Sequence, residues 1–190
     1  MNPNFIGIYD DALSEKQCVE LIQYFEDYPN KTSGGFYSNS FQRVIVNKEK
    51  KDSTDITLNF FNKSSASVTI REALTKGTKQ YRKDYPACDI MSFWDIYSGY
   101  KIQKYLPGQG FHQVHCESAS KGLSNRVLVW MIYLNTVTDG GETRFPAYDL
   151  NVEPKLGRLV IWPAGFTHIH HGLVSNTQTK YITTGWYTFT

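Results

Sequence analysis

All five histidines of this chain lie between residues 112 and 171, in two groups: His112 and His115, then His168, His170 and His171. His115-Cys116-Glu117 sets an imidazole and a carboxylate two residues apart. In a strand, residues i and i+2 share a face, so both could reach one metal ion while Cys116 points away. A surface His–Glu pair would show the same spacing. The second group offers a further nitrogen. Strand alternation puts His168 and His170 on one face and His171 on the other. Two histidines and one carboxylate leave three octahedral positions open, which suits non-haem Fe(II) and dioxygen. The same ligands suit a hydrolytic zinc site. Spacing does not separate the two metals.

The elements that must position these groups read as helices followed by strands. Phe5 to Tyr9 is a short apolar strand. Ser14 is placed to cap a helix, with Gln17 closing a capping box. Cys18, Leu21, Ile22, Phe25 and Tyr28 then recur at helical spacing, and Pro29-Asn30 stops the helix. Residues 31–64 are polar, and only Phe41 to Val46 reads as a strand. The charge run Lys48 to Lys51 reads as a solvated loop. Ser65 to about Tyr85 reads as a second helix, with Val68, Ile70, Ala73, Leu74 and Tyr81 on its apolar face and Gly77 counting against it. After Pro86 the pattern changes to short apolar runs: Ile90 to Tyr105, Val127 to Leu134, Leu159 to Trp162, Ile169 to Val174 and Tyr181 to Phe189. Gly140-Gly141, Pro154-Lys155, Gly157 and Pro163 to Gly165 are the turns between them. The pattern predicts a β-sandwich or barrel with helices on one outer face.

Composition sets the outer bounds. The 190 residues are 41% hydrophobic and 20% charged, enough for one domain with a real core. Twenty basic and 18 acidic residues give +2, so no broad cationic surface is implied and a nucleic-acid partner is not expected. Cys18, Cys88 and Cys116 are scattered and odd in number, which argues against a disulfide scaffold or a zinc knuckle. No signal-peptide pattern and no membrane-length apolar run is present. A cytoplasmic protein with no membrane partner is expected.

The residues flanking the histidines separate the metals. Tyr105-Leu-Pro-Gly-Gln-Gly-Phe precedes His115-Cys-Glu117. Arg126 leads a strand ending Tyr133-Leu-Asn135. Gly140-Gly-Glu-Thr-Arg-Phe145 follows, then Pro154-Lys-Leu-Gly, then His170-His-Gly172 and Lys180-Tyr-Ile-Thr-Thr-Gly-Trp186. This ordered set resembles the 2-oxoglutarate-dependent Fe(II) dioxygenases, in their prolyl-4-hydroxylase-like group. The resemblance covers Tyr105 to Trp186, and more loosely the N-terminal helix. It departs from the group at Glu117, where most relatives carry aspartate.

The resemblance implies a mainly β fold with flanking α-helices, a double-stranded β-helix (jelly roll, cupin-like). It implies one domain over 1–190, with N-terminal helical support to about residue 88 and the jelly-roll core from about 89. It implies that His115, Glu117 and His170 bind Fe(II), His170 being chosen because Lys180 lies ten residues beyond it. Lys180 would pair with the distal carboxylate of 2-oxoglutarate, with Tyr133 and Tyr105 as further cosubstrate contacts. Thr143 and Trp186 would be pocket or core residues, and Arg126 and Arg144 substrate contacts. Fe(II), 2-oxoglutarate and O2 are the implied cofactors, with ascorbate as an accessory. The expected reaction is hydroxylation of a C–H bond of a prolyl residue in a peptide or protein. A free amino acid, another small molecule, or a non-catalytic metal-binding jelly roll are the alternatives. Thr32 to Ser64 would be a substrate-covering loop.

Overall fold

The computed structural model describes residues 4–38 and 43–190. Its elements in chain order are β1 (Gly7–Tyr9), α1 (Glu15–Asp27), β2 (Thr32–Ser33), β3 (Phe36–Ser38), β4 (Arg43–Ile45), β5 (Thr54–Asn59), α2 (Ser65–Asp84), β6 (Trp94–Tyr105), β7 (Arg126–Tyr133), β8 (Thr143–Phe145), β9 (Leu150–Val152), β10 (Leu159–Pro163), β11 (His171–Gly172) and β12 (Lys180–Phe189). A seven-stranded sheet runs β1-β10-β7-β12-β6-β5-β2, and a three-stranded sheet runs β11-β8-β9. Each pairing in the large sheet is antiparallel. Two sheets of this kind, with helices behind the larger, make the double-stranded β-helix.

The strand β7 explains how the layers stack. Its run Val-Leu-Val-Trp-Met-Ile-Tyr is apolar at every position because both faces are covered. Trp130 and Ile132 face the helices, in a core with Leu21, Phe25, Ile70 and Leu74. Val129, Met131 and Tyr133 face the other way, in a second core with Phe145, Val152 and Trp162 from the small sheet and β10. That second layer is the jelly-roll interior, where the histidines converge.

The helices form as their sequences predict. Ser14 accepts from the Gln17 backbone N–H, and the Gln17 side chain accepts from the Ser14 N–H at 2.9 Å. Cys18, Leu21 and Phe25 are buried on one stripe. In α2 the buried stripe is Ala66, Ile70, Ala73, Leu74, Gly77 and Tyr81, while Val68 lies off it and is exposed. Gly77, weak for helix formation, sits where a Cβ would strike the Leu159 side chain. Close helix–sheet contact outweighs a propensity cost of about 1 kcal/mol.

Three sequence expectations change. The described part of the strand expected at Phe41 to Val46 is Arg43–Ile45, and Phe41 lies outside the described residues. The polar stretch before α2 contains a six-residue strand, β5, in the large sheet. Ile169 to Val174 is strand only at His171–Gly172, because Phe166–His168 forms a 3-10 turn.

Gly157 turns the chain between β9 and β10. Its φ is +74°, and a Cβ there would collide with the Leu13 carbonyl oxygen. Gly157 also donates to Tyr133 O at 2.9 Å and accepts from Ala12 N at 2.9 Å. Gly157→Ala should therefore destabilise the fold by at least about 2 kcal/mol, from αL strain plus a backbone clash. Urea unfolding of the two proteins checks this, and unchanged stability would contradict it.

Candidate active site

His115 and His170 are held by one backbone rung. His115 N donates to His170 O at 3.0 Å, and His170 N donates to His115 O at 2.8 Å. This isolated antiparallel bridge brings residues 55 positions apart side by side. Each imidazole is then oriented by a backbone carbonyl: His115 Nδ1 bonds to Gln113 O at 2.8 Å and His170 Nδ1 to His168 O at 3.0 Å. A proton on each Nδ1 leaves both Nε2 lone pairs free to ligate. Those two atoms lie 3.4 and 3.8 Å from Glu117 Oε1.

Glu117 is divided in the same way. Its Oε2 accepts from Arg126 Nη1 at 2.8 Å and from Trp186 Nε1 at 2.9 Å. The Arg126 guanidinium stacks 3.7 Å over the Trp186 ring. Oε1 is thus turned toward the histidines. Burial raises the Glu117 carboxyl pKa, but the His115 hydrogen bond and the neighbouring His115, His170 and Arg126 outweigh it and hold it low. Burial, helped by His115, pulls His170 down to about 3, so it stays neutral. A carboxylate and neutral imidazoles are what a metal ion requires. The three ligand atoms lie within 4.8 Å of one another, so the group could hold a metal ion. The longer glutamate reaches the same point as the histidines because two donors fix its far oxygen.

His168, the rival to His170, faces elsewhere. The 3-10 turn breaks the alternation, and His168 Nε2 bonds instead to Asn4 O at 2.7 Å and Tyr148 OH at 3.3 Å. His112 and His171 also stand outside the group.

The group opens into a cavity of about 500 Å³. Lys180 and Tyr105 line it, paired across β12 and β6. Lys180 is only 6% exposed. Its Nζ donates to Gly141 O at 2.7 Å and lies 5.0 Å from the Tyr105 ring centroid. Among the described residues it forms no salt bridge to a carboxylate. Burial pulls its pKa down to about 8, with Glu142 opposing. Tyr133 stands behind the wall rather than on it: its hydroxyl donates to Val152 O at 3.0 Å and bonds Thr143 Oγ1 at 2.7 Å, and Thr143 lines the cavity. Arg126 lines the cavity against Glu117. Arg144 instead pairs with Asp149 at 2.5 Å on the exposed side.

Sequence reading missed a second group on the cavity wall. Asp55, 1% exposed, accepts on Oδ2 from Lys51 at 3.2 Å, Lys101 at 3.1 Å and Gln103 at 2.9 Å. Ser53 donates to its Oδ1 at 2.8 Å. Lys51 belongs to the run read as a solvated loop, yet it is 3% exposed. The signal was the alternation of Ile56 and Leu58, which turns Asp55 to the opposite, cavity face. Phe111, also missed, stacks on His115 with centroids 3.9 Å apart.

Trp186→Phe removes one of the two donors that hold Glu117 Oε2. Fe(II) affinity should fall about 10- to 100-fold, the usual effect of losing an outer partner of a metal ligand. Competition against a chromogenic chelator reads this out, and unchanged affinity would show that Arg126 alone suffices.

Comparison with known proteins agrees with this fold. Residues 100–188 match the profile of the 2OG-Fe(II) oxygenase superfamily. That segment holds His115, Glu117, His170 and Lys180. The match to the 2OG-Fe(II) oxygenase superfamily is confined to that segment, and the whole chain has the fold of solved prolyl hydroxylases. It is 26% identical over 181 residues to human procollagen-lysine,2-oxoglutarate 5-dioxygenase 2, a match covering 89% of this chain but only 22% of that relative. Its fold superposes on the viral collagen prolyl hydroxylase of Paramecium Bursaria Chlorella virus-1 with a TM-score of 0.69, at 17% identity over 100% of this chain and 98% of that one. A Pseudomonas putida prolyl-4-hydroxylase gives a TM-score of 0.72 at 15% identity, over 99% and 94% of the two chains.

Proposed function

We propose that this protein uses Fe(II), 2-oxoglutarate and O2 to hydroxylate a C–H bond of a prolyl residue in a peptide or protein. One observation carries the reading: Lys180, a buried cation without a carboxylate partner among the described residues, shares a cavity with the His115–Glu117–His170 group. A metal ion alone gives no reason for that cation. A cosubstrate with two carboxylates does, since one end can meet the metal and the other the ammonium. A zinc hydrolase leaves Lys180 without a task.

In this reading His115 Nε2, Glu117 Oε1 and His170 Nε2 hold the metal. When bound, iron and 2-oxoglutarate supply the oxidation, with succinate and CO2 released as the substrate gains a hydroxyl. The chain's own residues orient and exclude. Lys180 neutralises the distal carboxylate, Tyr105 flanks it, and Tyr133 acts through Thr143. Arg126 and Trp186 keep Glu117 in one rotamer. Val129, Met131, Trp162 and Ile182 line the cavity and keep water away. Gly35, Phe36 and Val44 also line it, which supports a substrate-covering role for β3 and β4, while β5 belongs to the large sheet and lies outside that role. Ascorbate enters as the reductant that returns oxidised iron to Fe(II). Residues 1–190 act as one dioxygenase domain, the first 88 or so supporting the jelly-roll core. Three free cysteines fit a reducing, cytoplasmic setting, and no described helix is long and apolar enough to cross a membrane.

The prolyl substrate is supported by the likeness in fold to prolyl hydroxylases. The relative named for procollagen-lysine favours a lysyl side chain as the second reading. The cavity favours the first, because Lys51, Lys101 and Arg126 on its wall would oppose a lysyl ammonium. Anaerobic titration of Fe(II) and 2-oxoglutarate, followed by visible absorption, tests the chemistry. A metal-to-ligand charge-transfer band is expected, and its absence at saturation would sink the dioxygenase reading. Succinate release with a panel of prolyl and lysyl peptides then tests the substrate.

A further inference from the structure

Two lysines share one carboxylate on the cavity wall, far from Lys180. Lys51 and Lys101 both reach Asp55 Oδ2, which Gln103 also occupies, while Ser53 takes Oδ1. Asp55 is thereby saturated, and it can neutralise only one of the two ammoniums. Lys51, Lys101 and Gln103 line the cavity, whereas Asp55 lies behind them.

The charges around the cavity do not balance. Its wall carries Lys51, Lys101, Arg126 and Lys180 as cations and Glu117 as an anion, with Asp55 directly behind. Four positive and two negative groups leave an excess of +2. Fe(II) and 2-oxoglutarate, at +2 and −2, cancel each other and leave that excess in place. Arg126 is already matched by Glu117. Asp55 matches one of the two lysines, so one unit of the excess sits at the lysine pair and the other at Lys180, where the distal carboxylate of 2-oxoglutarate would meet it.

Strand register separates this pair from the cosubstrate end. Lys180 pairs with Tyr105, and Thr184 with Lys101, so the two ammonium-bearing positions stand four residues apart along the same face of the sheet. That is about 14 Å at the usual rise. The two ammoniums also have different neighbours, Gly141 O and the Tyr105 ring for Lys180 and Asp55 for Lys101. The pair is nonetheless close to the metal ligands. Lys51 Nζ lies 5.2 Å from the Phe111 ring centroid, and that ring stacks on His115 at 3.9 Å. Lys51 is therefore no more than about 9 Å, the sum of those distances, from the His115 ring.

We propose that Lys51 and Lys101, poised on Asp55, form a second anion subsite that binds a carboxylate of the substrate near the carbon to be hydroxylated. The proposal rests on the dioxygenase reading and deepens it by naming the substrate class as carboxylate-bearing. The carboxylate comes either from an acidic side chain next to the target residue or from the α-carboxylate of a free amino acid. Lys101 is the accessible partner, with a quarter of its side chain exposed, while Lys51 stays buried and fixes Asp55.

The test uses the full chain loaded anaerobically with Fe(II) and 2-oxoglutarate, so that the charge-transfer band first reports on the dioxygenase reading. Binding of two matched probe pairs is then followed by tryptophan fluorescence, since Trp162 and Trp186 line the cavity. One pair is acetyl-Glu-Pro-amide against acetyl-Gln-Pro-amide, and the other is L-proline against L-prolinamide. In at least one pair the carboxylate form should bind about 10- to 100-fold more tightly, the range for a charge-assisted hydrogen bond. The pair that discriminates identifies the carboxylate's source. Lys101→Gln should abolish the preference, and Lys101→Arg should restore most of it. Equal binding within both pairs overturns the proposal, as does a preference that survives Lys101→Gln. A matching loss of 2-oxoglutarate affinity in Lys101→Gln would assign the pair to the cosubstrate and overturn it too. An intact charge-transfer band alongside either result leaves the dioxygenase reading standing.

Discussion

Lys180→Ala is expected to weaken 2-oxoglutarate binding about 100- to 1000-fold while leaving Fe(II) affinity within about three-fold. Truncating one partner of a buried charged pair costs about 3–5 kcal/mol, and each 1.4 kcal/mol is tenfold. Lys180 is nearly inaccessible to solvent, and among the described residues its Nζ donates to Gly141 O, lies over the Tyr105 ring and forms no salt bridge. The ligand-free protein therefore carries a cation ready for a dianion. The metal ligands lie on other elements and keep their own hydrogen bonds in the variant. Separate titrations of metal alone, and of 2-oxoglutarate at saturating metal, resolve the two affinities. Equal losses in both would contradict the assigned role. Burial also gives Lys180 a pH limit in its proposed role. Its pKa is pulled down to about 8, so below that pH the free site is charged. Above it the amine is neutral and binding must first take up a proton. Affinity for 2-oxoglutarate should thus fall about tenfold per pH unit above about 8, a dependence that Lys180→Ala should lose.

Asp55→Ala should destabilise the fold by about 3–5 kcal/mol. The substitution leaves Lys51 and Lys101 facing each other without the carboxylate between them, and Lys51 has little access to water. It also strips a partner from Gln103, whose Oε1 accepts from Tyr105 OH at 3.0 Å. For a chain of this length the loss corresponds to a fall in Tm of roughly 6–20 °C. Asp52→Ala is the comparison. Asp52 pairs at 3.6 Å with Lys48, whose side chain is largely exposed, and such pairs contribute about 0–1 kcal/mol. Thermal melts of the two variants should differ plainly. Similar melts would mean that Asp55 is not a structural counter-ion.

The parts of this protein legible in sequence share one property: their signal is local. The capping box at Ser14 and Gln17, the stripe of α1, the apolar run of β7 and the spacing of His115 and Glu117 each declare themselves within a few residues. Choosing His170 over its neighbours required more than alternation. The 3-10 turn at Phe166–His168 removes the strand geometry on which alternation depends, and it was family spacing to Lys180 that selected His170. Arg126 and Trp186 are recognisable as pocket residues, but their meeting on Glu117 joins β7, β12 and a loop. Such a convergence has no sequence period. Asp55 was hidden for a related reason. Its strand is short and polar on one face, and its lysines look like solvated charges until the fold encloses them. Buried ionic groups are rare enough that composition argues for the surface every time.

The reciprocal rung between His115 and His170 makes ligand geometry inseparable from backbone breathing. Two amide protons, one on each ligand residue, are held by this single pair of hydrogen bonds. Opening the rung would carry both imidazoles apart at once, so a metal ion that bridges them adds its binding free energy to the closed form. Deuterium uptake at these two amides should then be a direct gauge of occupancy, slowing in proportion to metal saturation. It would do so without turnover, substrate or cosubstrate, and it would distinguish metal held by both histidines from metal held by one.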